Sequence, residues 1–368
     1  MTEPEIIAAL RLQAIPNIGD ITAKKLIAHC GSANAIFEDK VQHLTKIDGI
    51  GRITLKGLHD AIHLKEAEAE YEYIRNKNVA FSYFGDEDYP SKLKHCIDGP
   101  ILLFCKGNLD LSNRKIISVV GTRNITSYGH AFCEAFIEQI APLNPIIVSG
   151  FAYGVDITIQ KMALEAGLQT IGCLAHGLNQ IYPKSHKKYM SKVEENGGFI
   201  TEFWSTSNPD RENFLKRNRI IAGLSEATIV VESAEKGGSL VTADLANGYD
   251  REVFALPGRS TDKFSKGCND LIKRQKAHML TSAAELVYLL GWDLEEKKEE
   301  SSIQKRLFVE LNQIEQYIYS YLQMNGKQLL DTVALECKLP IHKTSSTLFS
   351  MEMKGVIRPL PGKLFEAI

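Results

Sequence analysis

The sequence predicts an α/β fold with a doubly wound, mostly parallel sheet. From Ile116 to about Leu290, short apolar segments alternate with helical stretches. These segments are continuously apolar, which is typical of strands buried on both faces of a parallel sheet. The intervening helices can then cover both faces. The predicted strands are Ile116–Val120, Ile146–Ser149, Thr170–Ala175, Phe199–Phe203, Ala227–Ser233 and Glu252–Leu256.

Further domains are predicted on either side of this sheet. Residues 1–78 are expected to form an all-helical domain, and residues 79–292 the α/β domain. Residues 293–309 carry a run of charges around two serines and are expected to be a linker. Residues 310–368 look like a winged helix. Its third helix offers few cations, so a protein-contact or spacer role fits as well as binding to duplex DNA.

Two similar pieces of the helical domain each place a tight turn ending in glycine before a predicted helix. They are Leu12–Leu26 and Leu44–Leu58. The arrangement resembles a tandem helix-hairpin-helix, or SAM-like, module. That resemblance implies backbone N–H groups at a helix N-terminus that bind a phosphate. A small helical cap with ordinary glycine turns is the alternative.

Composition excludes several classes of protein. Of the 368 residues 44% are hydrophobic, which is enough for real cores and argues against disorder. The net charge of −2 means that nucleic-acid binding must come from a local patch. The seven cysteines form no C-x-x-C pair, so we expect reduced core thiols. No apolar run reaches membrane-spanning length and no signal-peptide pattern is present, so we expect a cytoplasmic protein without a membrane partner.

The segment Phe214–Ser225 combines a cationic cluster with an apolar helical face. Arg217 and Arg219 flank Asn218, and apolar residues at helical spacing follow. We expect Arg217 and the Phe214 ring to remain near an open edge. Arginine binds phosphate through a fork of donors, and a ring stacks on a base. A solvated helix end is the alternative, because charge runs are usually soluble surface.

Small residues at the ends of predicted strands form turns that suit an anion. Gly121 and Thr122 precede Arg123, which adds a fork donor. Gly121 would also serve an ordinary tight turn. The other two turns are Ser149-Gly150 and Gly238-Ser239. Because ligands bind off the carboxyl ends of parallel strands, we expect the three turns to converge beside the arginines.

The sequence contains few residue patterns that are typical of catalytic sites. The sequence contains no G-x-S-x-G elbow, Walker A loop, H-E-x-x-H motif or complete dinucleotide fingerprint. His176 is a candidate general base without an assigned partner. Asp156, Glu202 and Glu232 are candidate metal ligands at strand ends, although a helix cap explains Asp156 better. We therefore expect no enzyme activity, no cofactor and no metal.

Ordered motifs over about residues 80 to 280 carry a family resemblance. The sequence closely resembles the DNA processing protein A family, DprA, also called Smf. The motifs include Val120–Arg123, Ser149–Asp156, Tyr182-Pro183, Thr201-Glu202, Arg217–Ser225, Gly238–Ala243, Ala255–Gly258 and Gly267–Ile272.

The resemblance implies a Rossmann-like core that binds single-stranded DNA and forms a homodimer. It also implies protection of incoming strands and loading of the RecA recombinase onto them in natural transformation, with no established catalytic activity. Phe214 would stack on bases, and Lys184 would add a phosphate contact. The predicted DNA-binding residues are Gly121, Thr122, Arg123, Ser149, Gly150, Lys184, Phe214, Arg217, Asn218, Arg219, Gly238, Ser239 and Asn269.

One position departs from the family pattern, and one alternative function stays open. Gln160 stands where the family usually has His, four residues after Asp156. Glutamine can replace histidine as a hydrogen-bonding residue in a binding site. The change therefore argues slightly against enzyme activity. The alternative is a nucleotide-processing enzyme of the lysine-decarboxylase-like phosphoribohydrolase type. Its Pro-Gly-Gly-x-Gly-Thr-x-x-Glu motif is not kept, because Leu240 and Val241 follow Ser239.

Overall fold

The computed structural model places the chain in two compact units. One spans Met1–Leu294 and the other Glu295–Ile368. The predicted linker, residues 293–309, lies outside the described residues. Among the described residues, no helix has the length and apolar character needed to cross a membrane. The described stretches are residues 1–111, 115–292, 311–360 and 363–367.

The first unit begins with helices only, over the fully described residues 1–77. Gly31, at φ 88°, ends the second helix in the left-handed conformation that glycine tolerates. The helix predicted after Gly51 is wrong: the structure has a run of turns there, and Gly57 lies at φ 85°. The helices are α1 (Glu3–Ala14), α2 (Asp20–Cys30), α3 (Ala33–Glu38), α4 (Val41–Leu44) and α5 (Ala61–Lys77).

Strands and helices then alternate as far as residue 292. The elements are β1 (Ala80–Tyr83), α6 (Ser91–Lys94), β2 (Leu102–Gly107), β3 (Ile116–Val120), α7 (Ser127–Ile140), β4 (Ile146–Ser149), α8 (Val155–Glu165), β5 (Thr170–Cys173), α9 (Lys187–Glu195), β6 (Gly197–Thr201), α10 (Arg211–Leu224), β7 (Ala227–Val230), α11 (Gly238–Gly248), β8 (Glu252–Ala255), α12 (Lys266–Lys273), β9 (His278–Met279) and α13 (Ala283–Leu289).

Within the described residues these strands form one nine-stranded sheet, in the order β1-β2-β6-β5-β4-β3-β7-β8-β9. Neighbouring strands from β6 to β9 in that order are parallel, whereas β1 and β2 are antiparallel additions at one edge. The prediction of a mostly parallel, Rossmann-like sheet is confirmed. The strand order reverses between β3 and β7, and such switch points open a crevice at the carboxyl ends of the strands.

Both faces of the sheet are buried, as the continuously apolar strands predicted. Ile117 and Val119 of β3 pack in one apolar cluster, whereas Ile116 and Val120 pack in the cluster on the other face. The predicted strands are all present, with bounds that shift by a few residues. The largest shift is at the end of β7, which stops at Val230, three residues before the predicted Ser233. β6 starts two residues early, at Gly197, because glycines carry little strand signal in a sequence.

The N-terminal helices are joined to the sheet by buried polar contacts. The Glu70 carboxylate on α5 accepts hydrogen bonds from the Ser205 backbone N–H (2.8 Å) and hydroxyl (2.6 Å). The Trp204 indole N–H donates to the Gln13 side chain at 2.9 Å. Glu70 is only 4% exposed, so its two bonds are shielded from water.

The second unit contains a small helical and β structure with its own apolar core. Asn312 and Glu315 form a capping box at the start of its first helix. The assignment of this unit as a winged helix stays a prediction. The elements are α14 (Gln313–Asn325), β10 (Gln328–Leu329), α15 (Leu330–Glu336), α16 (Ile341–Met353), β11 (Ile357–Leu360) and β12 (Leu364–Ala367).

Glu70→Ala is expected to lower the free energy of unfolding of the first unit by about 1–3 kcal/mol, because the buried Ser205 donors lose their acceptor. Trp204 and Trp292 are the chain's 2 tryptophans and lie in this unit, so their fluorescence in a denaturant titration measures it. Glu68→Ala, at an exposed position on the same helix, is the matched control. Equal effects of the two substitutions would contradict the buried link.

Candidate functional site

A groove of about 530 Å³ lies at the carboxyl ends of β3 and β7, at the switch point of the sheet. It is bordered by α10 and by the N-terminus of α11. The structure brings together here most of the residues that the sequence assigned to the site. Those that line the groove are Gly121, Thr122, Arg123, Phe214, Arg217, Asn218, Gly238 and Ser239.

The turn after β3 presents Arg123 to solvent at the rim of the groove. The Thr122 N–H donates to the Glu232 carbonyl at 2.7 Å, and the Thr122 carbonyl accepts from the Val155 N–H at 3.0 Å. A Cβ on Gly121 would overlap the Val155 side chain, so glycine lets α8 approach β3 closely. The exposed Arg123 side chain is therefore mounted on a fixed turn.

Arg217 lies beneath the groove and not at an open edge, which corrects the expectation drawn from the sequence. It is only 4% exposed. Its Nη1 donates to the carbonyls of Gly150 (2.7 Å) and Cys173 (2.6 Å), at the ends of β4 and β5. A Cβ on Gly150 would overlap both Arg217 and Asp156. Glycine at this position therefore lets the guanidinium and the carboxylate approach the same backbone.

The charges of Arg217 and Asp156 depend on each other. Burial lowers the pKa of the Arg217 guanidinium, and the nearby Asp156 carboxylate opposes that shift. Burial raises the pKa of Asp156, and Arg217 opposes that shift in turn. Asp156 also accepts a hydrogen bond from the Ala152 N–H at 3.4 Å. Through its two backbone hydrogen bonds Arg217 is thus a buried structural bridge that joins α10 to the strand ends, with the Asp156 carboxylate of α8 nearby.

Aromatic rings and a further cation surround the rim. The Phe214 ring lies 5.4 Å from the Arg123 guanidinium carbon and 5.8 Å from that of Arg217. The Tyr182 ring is 5.6 Å from Phe214, tilted by 59°. Sequence reasoning noted Tyr182 only as part of a motif and missed Arg211, an exposed cation at the start of α10 that lines the groove. The helical spacing of Arg211 and Phe214 was the available signal.

The N-terminus of α11 faces the groove. Gly237 is its N-cap, and Gly238 and Ser239 form its first turn. The Ser239 hydroxyl donates to the Ser233 hydroxyl at 2.9 Å, and no side chain caps the helix at Gly237. A helix N-terminus carries partial positive charge, which favours an anion.

Arg219 is not in this groove, which corrects the expectation that both arginines share one edge. It donates a 3.0 Å hydrogen bond to Asp20 of α2 and a shorter one to Glu202. Burial opposes the charge of the guanidinium, but these carboxylates prevail and raise the pKa of Arg219. Arg219 lines a separate cleft of about 1000 Å³ between the N-terminal helices and the sheet. Its contacts join the helices to the core.

Four other predicted residues also lie outside the lining of the groove. Gly150 accepts a hydrogen bond from Arg217 through its carbonyl, beneath the groove. The fully buried Ser149 hydroxyl donates to the Val119 carbonyl at 2.6 Å. The Asn269 side chain exchanges hydrogen bonds with the backbone of Gly258. Lys184 is exposed, two residues beyond Tyr182.

The candidate catalytic and metal-binding residues have structural contacts. Glu232 accepts from the Thr126 N–H (2.9 Å) and hydroxyl (2.5 Å) at the start of α7. Glu202 pairs with Arg219. His176 is buried, which lowers its pKa, and its Nδ1 lies 2.9 Å from the Gly177 carbonyl. Among the described residues, no group of three or more His, Cys, Asp or Glu side chains is placed to hold a metal.

Two other buried side chains bear on reactivity. Gln160 is fully buried and donates to the Thr170 hydroxyl at 3.3 Å, so it does not face the groove as a substitute ligand. Burial raises the pKa of the Cys173 thiol to about 12, which keeps it protonated and unreactive at neutral pH.

The fold and the groove define a Rossmann-like α/β protein with a groove at the carboxyl ends of its strands, lined by arginines, an aromatic ring and a helix N-terminus. The sequence model described as DNA recombination-mediator protein A matches residues 80–291. The chain belongs to this family.

Curated relatives and solved structures agree. Protein Smf of Escherichia coli K12 is 33% identical over 307 residues, which cover 81% of this chain and 80% of that protein. DNA processing protein DprA of Bacillus subtilis is 38% identical over 213 residues, 58% of this chain and 71% of that protein.

Two solved structures of the same family are similar to this one. DNA processing protein A from Streptococcus pneumoniae is 29% identical, with a TM-score of 0.66, and the match covers 78% of this chain and 98% of that chain. The Helicobacter pylori protein, reported for its single-stranded DNA binding mode, is 29% identical, with a TM-score of 0.52 and coverage of 57% and 95%.

Arg217→Met is expected to lower the free energy of unfolding by about 1–3 kcal/mol, because the buried carbonyls of Gly150 and Cys173 lose their donor. The tryptophan-monitored denaturant titration measures it. Arg123→Met, at an exposed position, is the matched control and should change stability by no more than about 0.5 kcal/mol. An unchanged unfolding midpoint for Arg217→Met would contradict the buried bridge.

Proposed function

We propose that the chain binds single-stranded DNA in the groove at the ends of β3 and β7. The observation that carries this proposal is the exposed Arg123 beside the Phe214 ring, at the N-terminus of α11. Guanidinium groups and helix N-termini bind phosphates, and rings stack on unpaired bases of any sequence. The Helicobacter pylori relative reported for its single-stranded DNA binding mode supports the assignment.

The site residues divide by role under this proposal. Arg123 and Arg211 bind phosphates directly, together with the backbone of Gly238 and Ser239. Lys184 extends the cationic rim. The turn of Gly121 and Thr122 shapes the groove, and Arg217, bonded to the Gly150 carbonyl, holds its floor. Asn218 also lines the groove. Ser149, Arg219 and Asn269 contribute indirectly, through hydrogen bonds that stabilise the fold.

The proposed cellular role follows from membership of a family of recombination mediators. The protein protects incoming single strands and delivers them to the RecA recombinase in transformation and recombination. It works in the cytoplasm as a homodimer formed through the Rossmann-like core. The helix-hairpin-helix domain of residues 1–78 and the winged helix of residues 310–368 are accessory to that core. No catalytic step is proposed. The buried His176 ring contacts the Gly177 carbonyl, and burial keeps the Cys173 thiol protonated.

Arg123→Ala is expected to weaken binding of single strands of different sequence by similar factors, because a phosphate contact reads no base. The slope of log K against log salt should fall in magnitude by about 0.7, the value for one phosphate contact on a single strand. Fluorescence anisotropy of labelled oligonucleotides over a salt series measures both. Lys273→Ala, an exposed lysine of α12, is the control.

Two results would overturn the proposal. One is efficient displacement of the single strand by duplex DNA, which would place recognition elsewhere. The other is an absence of single-strand binding at low salt together with release of free base from a nucleoside monophosphate, which would make the protein a nucleotide-processing enzyme.

A further inference from the structure

We propose that a single strand bound in the groove leaves it across α8 and α9, on a second contact surface, the exit surface. This surface consists of Tyr153, Lys161, Lys188, Tyr189 and Lys192. The inference rests on the proposed function, since the groove supplies the strand that the exit surface extends.

A line of aromatic rings connects the groove to the exit surface. Tyr153 lines the groove and is 47% exposed. Its ring lies 5.0 Å from that of His186, which in turn lies 6.2 Å from the Tyr189 ring. The Ser185 hydroxyl donates to the Tyr153 hydroxyl at 3.1 Å and fixes the outer ring. Tyr153 is exposed and Tyr189 is half-buried, and rings that reach solvent are platforms on which bases stack.

The middle of this line is rigid. His186 is only 4% exposed, and its Nδ1 lies 3.0 Å from the Phe151 carbonyl. Its ring also packs edge-on against Phe151 at 5.3 Å. His186 therefore supports the two tyrosines and does not itself meet DNA. A rigid platform loses little conformational entropy when a base stacks on it.

Positive charge is concentrated at the far end of the line. The ammonium groups of Lys161 and Lys188 lie 5.5 Å and 5.0 Å from the centre of the same Tyr189 ring. Within the described part of the chain neither lysine has an ion-pair partner. Lys192 follows Lys188 by one helical turn and is also exposed. A phosphate placed between these like charges would offset their repulsion.

The combination of rings and lysines favours single-stranded DNA over other polyanions. An acidic peptide would use the lysines and leave the tyrosine faces unused. A duplex hides the faces of its bases inside the stack, so it gains nothing from Tyr153 and Tyr189. The chain's net charge of −2 shows that this surface is a local feature and not general basicity.

The test compares a short oligo-dT of about 6 nucleotides, within typical single-strand site sizes, with a long one of about 20 nucleotides, which exceeds them. Lys161→Ala/Lys188→Ala should weaken binding of the long strand by about tenfold, or about 1.4 kcal/mol. It should also lower the salt slope of the long strand by about 1.4, for two phosphates. The short strand should bind the variant and the unaltered protein equally. Tyr189→Leu should weaken long-strand binding without changing the salt slope.

The control is Lys273→Ala/Lys276→Ala, a pair of exposed lysines just before β9. Equal weakening of short and long strands by the Lys161 and Lys188 substitutions would overturn the exit surface, as would an unchanged affinity for the long strand. If the Lys161 and Lys188 substitutions weakened binding of duplex DNA as much as binding of the long single strand, the preference for a single strand would be overturned. Failure of the unaltered protein to bind either oligonucleotide is a different outcome, and it would overturn the groove itself.

Discussion

The candidate site depends on the hydrogen bonds that the buried Arg217 guanidinium makes to the ends of two strands. The guanidinium joins α10 to the carbonyls that end β4 and β5, and Asp156 balances its charge from α8. An uncompensated charge at this depth would cost several kcal/mol. The pair therefore fixes the floor of the groove. The residues above it, Phe214 and Arg123, are presented by elements that this bridge holds together.

Two arginines two residues apart on α10 serve different parts of the molecule. Arg217 points to the strand ends, whereas Arg219 pairs with Asp20 and Glu202 on the side of the N-terminal helices. α10 thus connects the groove with the helical segment that precedes the sheet. Neither guanidinium is free to act as a surface cation, so the proposed phosphate binding in the groove is assigned to Arg123 and Arg211.

Much of the fold was predictable because the central strands β3 to β7 are mostly apolar on both faces and glycines and polar residues mark the turns. The burial of Arg217 was also within reach of the sequence, since it shares a helical face with Ile221 and Leu224. The pairing of Arg219 with Asp20 was not, because 199 residues separate them and no local pattern records the contact. Motif membership likewise assigned Asn269 to DNA, although its side chain holds a neighbouring loop.

Photochemical crosslinking of an oligo-dT carrying 5-iodouracil, followed by identification of the crosslinked peptide, tests the central claim most directly. The account predicts crosslinks to Tyr182 or Phe214, the rings at the rim of the groove, and their loss in Arg123→Ala at moderate salt. Crosslinks confined to residues 1–78 or 310–368, with none in the groove, would contradict it.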